Sequence, residues 1–251
     1  MSSKERFFIE LSYDGTNYHG WQMQPNAIGV QEVLNKALAT ILRQPIETTG
    51  CGRTDTGVHA TEFFAHFDVV DSSWFMDHGT SLRSINSILP HDIAVKRIIK
   101  VDADAHARFD ATLRSYKYYI HFNKDPFKNG YSWLLREKPD VDLMNQAAML
   151  LMDYTDFSCF SKSNTQTKTN NCKISRAEWV DMGDSIVFNI TADRFLRNMV
   201  RAIVGTLLMV GNKEILPEAI HDIINSKNRG NAGTSVPACG LYLTEVKYPY
   251  L

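Results

Sequence analysis

The chain has 251 residues, enough for one large domain or two small ones with an ample core. Its net charge of −1 excludes a polyanion-binding surface spread over the whole protein, so any basic surface has to be local. No run approaches the ~18 apolar residues of a membrane helix, and four cysteines without a C-x-x-C pair lack zinc spacing, so reduced thiols in the cytoplasm are expected.

Residues Met1 to Arg6 carry no apolar export segment and run straight into a strand pattern. Over 6–13 the residues Phe7, Ile9, Leu11 and Tyr13 share one face, which predicts a half-buried strand ending at the Asp14-Gly15 turn. Tyr18 to Gln22 have no regular period and form a loop that lines a pocket or covers a sheet edge. From Val30 the spacing becomes helical through Leu34, Leu38 and Leu42, with Pro45 just beyond the end. Glycines 50, 52 and 57 punctuate the next stretch, and Phe63, Ala65, Phe67 and Val69 then alternate with Phe64 and His66 as a strand. Residues 50–60 therefore read as a strand-to-strand loop.

Residues 71–90 look helical up to Leu89-Pro90, and 92–101 read as a strand. The strand Arg114 to His121 puts Tyr116, Tyr118 and Ile120 on one face. A helix from Val141 to Met152 follows, then a polar run over 161–176 with four basic and no acidic side chains. A hairpin turns at Gly183-Asp184, between Ile174–Met182 and a strand carrying Ile186, Phe188 and Ile190. A long apolar helix is expected from Arg194 to Val210, stopped by Gly211, and a second is opened by Pro217. The last strand covers 240–246. Each half offers strands, an amphipathic helix and more strands. This predicts an α+β fold, a sheet covered by helices, with residues 1–104 and 105–251 forming halves that meet at a cleft.

The candidate chemistry starts at Asp55. A carboxylate on a glycine loop beside an arginine suits catalysis, and on extended backbone Arg53 and Asp55 point the same way. A tight turn whose Asp55 only hydrogen-bonds nearby amides fits the same letters. Arg194, Arg197 and Arg201 fall at helical spacing, so one stripe could bring a guanidinium to Asp55 and favour its charged form, or could simply be a solvated face. Tyr116 lies in a stretch rich in cations and rings, with Arg108, Phe109, Arg114, Lys117 and Tyr118, which suits flat bases and phosphates or a tyrosine-rich core. The run 161–176 is either a mobile basic arm or a linker. His59 and His66, seven apart, are expected on opposite sheet sides and share no metal. Asp55-Thr56-Gly57 spells the D-T-G of aspartic proteases, but Arg53 opposes the shared-proton state those enzymes need. An RNA-binding module without chemistry is the other alternative.

The motifs resemble those of the tRNA pseudouridine synthase A family nearly end to end. They include Gly52-Arg53-Thr54-Asp55-x-Gly57-Val58-His59-Ala60, Tyr13-Asp14-Gly15-Thr16-x-Tyr18-His19-Gly20-Trp21-Gln22 and His106-Ala107-Arg108-Phe109. Tyr116-x-Tyr118, Asp156-Phe157-Ser158, Phe195-Leu196-x-x-Met199-Val200-Arg201-x-Ile203-Val204-Gly205 and Gly240-Leu241-Tyr242-Leu243 complete the match. The resemblance implies a pseudouridine synthase fold, a mixed and mainly antiparallel sheet in two halves flanked by helices. It implies an isomerase that detaches uracil from ribose at N1 and rejoins it through C5, at tRNA positions 38, 39 and 40 in the anticodon arm, without metal or cofactor. Asp55 is then the essential carboxylate, acting on the ribose or on the ring. Arg53 helps evict the base, Tyr116 stacks on it once flipped, and Arg201 pairs with the carboxylate. His106, Arg108, Phe109, Asn164 and Lys168 fall in tRNA-contacting regions, and the assembly implied is a cytoplasmic homodimer. Thr56 stands where the family usually has alanine.

Overall fold

The computed structural model describes residues 4–70, 75, 78–162 and 169–251. In chain order its elements are β1 (Glu5–Tyr13), α1 (Val30–Leu42), β2 (Thr49–Gly50), β3 (His59–Val69), α2 (His78–Ile88), β4 (Ile93–Val101), β5 (Leu113–His121), β6 (Trp133–Leu134), α3 (Val141–Leu150), β7 (Ile174–Asp181), β8 (Ser185–Ala192), α4 (Met199–Gly211), α5 (Ala219–Asn225) and β9 (Leu241–Lys247). The fold is α+β with mostly antiparallel pairing. Two compact units emerge, one of Met1–Thr112 with Leu243–Leu251 and one of Leu113–Tyr242.

In the first unit the strand order is β4-β1-β3-β9, with β2 paired to β3. β1 is central, and Phe7 through Leu11 are all buried, so it is covered on both faces rather than half-exposed as its alternation suggested. Glu10 tolerates this position because Arg97 on β4 pairs with its carboxylate. Phe8, on the same face, packs edge-on against Tyr248 at 5.1 Å. The apolar stripe of α1 buries Val30, Leu34, Ala37 and Leu38, as its spacing demands. Along β1 and β3 the register moves from Leu11–Phe63 to Tyr13–Ala60, so β3 carries one extra residue. That bulge reverses the alternation and puts His59 on the same sheet face as His66, overturning the opposite-face expectation; bulges of this kind recur beside functional loops.

In the second unit β5-β8-β7 form an antiparallel ladder, with β6 parallel to β5. The β7–β8 hairpin turns at Gly183, φ 86°, where the sequence placed it. Asn145 on α3 clamps the Trp179 backbone, accepting its N–H at 2.7 Å and donating to its carbonyl at 3.1 Å. α4 keeps the expected apolar face but begins at Met199, five residues later than its pattern suggested. Asn198 adopts φ 66° and caps a turn in which Met199 N–H donates to the Leu196 carbonyl. Arg194 and Arg197 thus precede the helix, and the three-arginine helical stripe does not form. Among the described residues, no helix is long and apolar enough to cross a membrane.

Candidate active site

The loop carrying Asp55 joins β2 to β3 and rests on the 13–22 segment, backbone against backbone. Trp21 N–H donates to the Thr54 carbonyl at 3.3 Å, Gly57 N–H to the Tyr18 carbonyl at 3.2 Å, and the Tyr13 and Thr54 hydroxyls meet at 2.9 Å. The two segments approach so closely that only glycine fits. A Cβ on Gly15 would sit 2.0 Å from the Val58 carbonyl oxygen, and one on Gly20, itself at φ +83°, 2.2 Å from that of Thr54. Gly57, at φ +77°, closes the turn in which Val58 N–H donates to the Asp55 carbonyl. The supporting segment is fixed in turn by the Tyr18 hydroxyl on Asp92 at 2.6 Å and by Gly15 N–H on His59 Nδ1 at 3.1 Å. Thr54 is buried, Asp55 half-buried, and Arg53 and Thr56 exposed. Thr56 is thus a surface position, where a residue larger than alanine has no core to fit.

Beside this loop lies a recess of about 130 Å³ lined by Arg53, Gly52 and Gly50 together with Trp21, Gln22 and Arg108. Arg108 and Phe109 belong to a short loop organised by two imidazoles. His106 Nδ1 accepts the N–H of Arg108 at 3.1 Å and of Phe109 at 3.3 Å, and its ring meets Phe109 at 4.3 Å and His66 at 4.6 Å. His66 Nδ1 accepts the Ala107 N–H at 3.1 Å. Asp110, held by the His106 N–H and the Tyr250 hydroxyl, completes the loop, while Phe109 is left 75% exposed. His106 thus presents its neighbours, a role the motif alone did not suggest.

Burial, with the Arg6 guanidinium and His106 adding to it, pulls His66 down to about 4. In the unfolded chain the same imidazole titrates near 6.5, so the unfolded state takes a proton first as pH falls. Stability is whole above about 6.5, falls by roughly 2–3 kcal/mol down to about 4, and loses nothing further there from this residue. Thermal unfolding between pH 7 and pH 4 should show this slope in the parent chain and a flatter one in His66→Asn, whose amide oxygen can still accept the Ala107 N–H. An unchanged slope in the variant would remove His66 as the cause.

In the second unit Tyr116 stands on β5 opposite Ile190, half-buried, with Phe195 edge-on at 5.1 Å and 87°. Arg201 lies in the first turn of α4 and is tied to Val236 in both directions. Its Nε donates to the Val236 carbonyl at 2.7 Å, and its own carbonyl accepts the Val236 N–H at 3.3 Å. The 233–237 strap is fixed further by Gly233 N–H on Thr206 Oγ1 at 2.8 Å and by the Tyr118 hydroxyl on the Pro237 carbonyl at 2.7 Å. This strap was missed in the sequence; its one signal is a glycine, Gly205, inside an otherwise unbroken helical pattern. Asp156 proves to be a structural group. Ser158 and Lys227 hold its carboxyl down to about 2, and it accepts the Ser158 N–H that opens the turn over Ser158–Phe160. Asn164 and Lys168 lie outside the described residues.

Thiol chemistry is disfavoured, since burial pushes Cys159 and Cys172 up to about 12, leaving little thiolate at neutral pH. Among the described residues no group of three or more His, Cys, Asp or Glu could hold a metal ion. What the arrangement provides is a carboxylate on a rigid loop with an exposed arginine two residues away in one unit. The other unit provides an aromatic ring and an arginine, each held by named partners.

A family model described as tRNA pseudouridine synthase matches residues 147–249. The chain is 51% identical over 248 residues to the tRNA pseudouridine synthase A of Bacteroides fragilis, covering 98% of each chain. It is 49% identical to that of Parabacteroides distasonis, over 97% of this chain and 96% of the other. Identity to the Exiguobacterium sibiricum protein is 36%, covering 97% of each chain.

Proposed function

Because this chain belongs to the tRNA pseudouridine synthase A family, an isomerase that makes pseudouridine in tRNA, we propose that Asp55 is its nucleophile and that its targets are the uridines at tRNA positions 38, 39 and 40. The observation that carries the assignment is the setting of Asp55, a half-buried carboxylate on a loop that three glycines and four hydrogen bonds hold in place. A group so fixed can meet a reacting atom with little reorganisation. The target bond is buried in the RNA stack, so the nucleotide has to leave the helix before the carboxylate reaches it.

In this reading Arg53 fills the space left by the base, Tyr116 stacks on the flipped uracil, and Arg201 keeps the Asp55 carboxylate charged. The N1–C1′ bond breaks and a C5–C1′ bond forms. C5 gives up its proton and N1 gains one, so substrate and product have the same composition and no co-substrate is consumed. His106, Arg108, Phe109, Asn164 and Lys168 serve binding of the tRNA. Phe109 supports this, as an exposed ring beside an exposed arginine whose guanidinium lies 5.8 Å from the ring centre. The protein acts in the cytoplasm as a homodimer in this reading, its residues 1–104 supplying the carboxylate and 105–251 the stacking tyrosine and the second arginine.

Mapping pseudouridine in bulk tRNA after incubation with the purified chain and no additive tests the proposal. Conversion confined to positions 38–40 is the expected result, and conversion elsewhere would overturn the target assignment. Sedimentation of the same sample at twice the 28.5 kDa chain mass checks the dimer.

A further inference from the structure

The glycines around the catalytic loop have different reasons for being glycine. At Gly15, Gly20 and Gly50 a Cβ would strike other atoms of the chain at 2.0, 2.2 and 2.5 Å, so internal packing accounts for them. At Gly52 a Cβ would meet nothing within 4 Å, and its φ is not positive. Neither turn geometry nor the packing of the chain requires a bare backbone there. A glycine of that kind suits close approach by a molecule from outside.

Gly52 lines the recess that Arg108 and Arg53 also line. At about 130 Å³ that space is well below the ~300 Å³ of an ordinary small-molecule pocket, so it admits a chemical group rather than a whole nucleotide. Guanidinium groups beside exposed backbone select a phosphate. We propose that the recess docks one phosphate of the tRNA strand flanking the target uridine, with Arg108 as its cation and exposed Arg53 beside it. Gly52 is bare so that the strand can lie against the loop. The proposal rests on the reading of this chain as a tRNA pseudouridine synthase acting through Asp55.

Gly52→Ala and Gly52→Leu, each made in the full chain, test it. Gly52→Ala should unfold at the parental temperature or slightly above, because a Cβ there displaces nothing in the chain and the unfolded state loses freedom. Gly52→Leu, whose side chain starts from the same open position, should stay within a few degrees of it. Affinity for tRNA should fall about threefold for Gly52→Ala and at least twentyfold for Gly52→Leu, carried by KM with kcat little changed, as lost uniform binding requires. Arg108→Gln should flatten the dependence of log K on log[salt] by about 0.9, one phosphate's worth. Its combination with Gly52→Leu should cost less than the two separate losses together, since both remove the same contact. Parental tRNA affinity in Gly52→Leu, or full additivity with Arg108→Gln, would overturn the site. Pseudouridine formation by the parent chain reads the underlying activity separately. A parent that makes pseudouridine while Gly52→Leu binds normally loses only this recess, whereas a parent that makes none loses the reading beneath it.

Discussion

Asp55→Asn is expected to reduce pseudouridine formation by at least about 10⁴-fold, some 5.5 kcal/mol of barrier, with tRNA affinity kept within a few-fold. The substitution is close to isosteric, and four of the bonds that shape the loop run through backbone groups and the Thr54 hydroxyl. Trp21 N–H to the Thr54 carbonyl, Gly57 N–H to the Tyr18 carbonyl and Val58 N–H to the Asp55 carbonyl all survive it. What disappears is a negatively charged oxygen able to form a covalent bond, and a neutral amide does not replace it. Release of the C5 hydrogen from tRNA tritiated at that position, followed in a single turnover, separates the chemistry from binding. Release within tenfold of the parent rate would end the nucleophile assignment. A simultaneous collapse of tRNA affinity would show instead that the substitution had deformed the loop.

The sequence made local features legible where one periodicity ruled. α1 runs from Val30 to Leu42, where its apolar spacing begins and ends, and the β7–β8 turn sits at Gly183. Both depend on neighbours within a few residues. The features that escaped depend on distant ones. β1 is buried on both faces because Phe75 lies on Phe7 on one side and Tyr248, from the far end of the chain, lies on Phe8 on the other, which alternation alone could not reveal. The start of α4 was misplaced because Arg194 to Asn198 keep helical spacing, while Asn198 in the left-handed region breaks the backbone there.

The candidate site shows the same division. Asp55, Arg53, Tyr116 and Arg201 stood out because their residue types and motifs carry chemistry. Their supports did not, since a glycine pressed on a carbonyl or an imidazole accepting two amides leaves no periodic trace. Gly15 against Val58 and His106 beneath Arg108 are cases of this kind. They divide the work in a consistent way. In the first unit, glycine contacts set the carboxylate; in the second, a strap sets the arginine.

That strap yields the second large effect, at Gly205. In an exposed helix alanine is more favourable than glycine by up to about 1 kcal/mol, so propensity predicts that Gly205→Ala would stabilise α4. Contact predicts the reverse. A Cβ there would lie 1.8 Å from the Thr234 carbonyl oxygen, and Gly233 faces the Gly205 backbone so closely that its own Cβ would meet it at 2.7 Å. Backbone cannot rotate away as a side chain can, and overpacking of this kind costs roughly 1–3 kcal/mol or more. The contact wins, and Tm should fall by roughly 3–10 °C in a chain of this length. Turnover should suffer further, because a displaced strap moves Val236, which holds both the Nε and the carbonyl of Arg201, and Pro237, to which Tyr118 is bonded two residues from Tyr116. At saturating tRNA and well below the new Tm, kcat is expected to drop at least tenfold. Gly183→Ala gives the comparison, since its turn has φ 86° but a Cβ there would meet nothing within 4 Å, and it lies in the β7–β8 turn, outside both α4 and the 233–237 strap. It should lower Tm by a few degrees and leave kcat intact. A Gly205→Ala chain with parental Tm and kcat would show that the strap does not set the arginine.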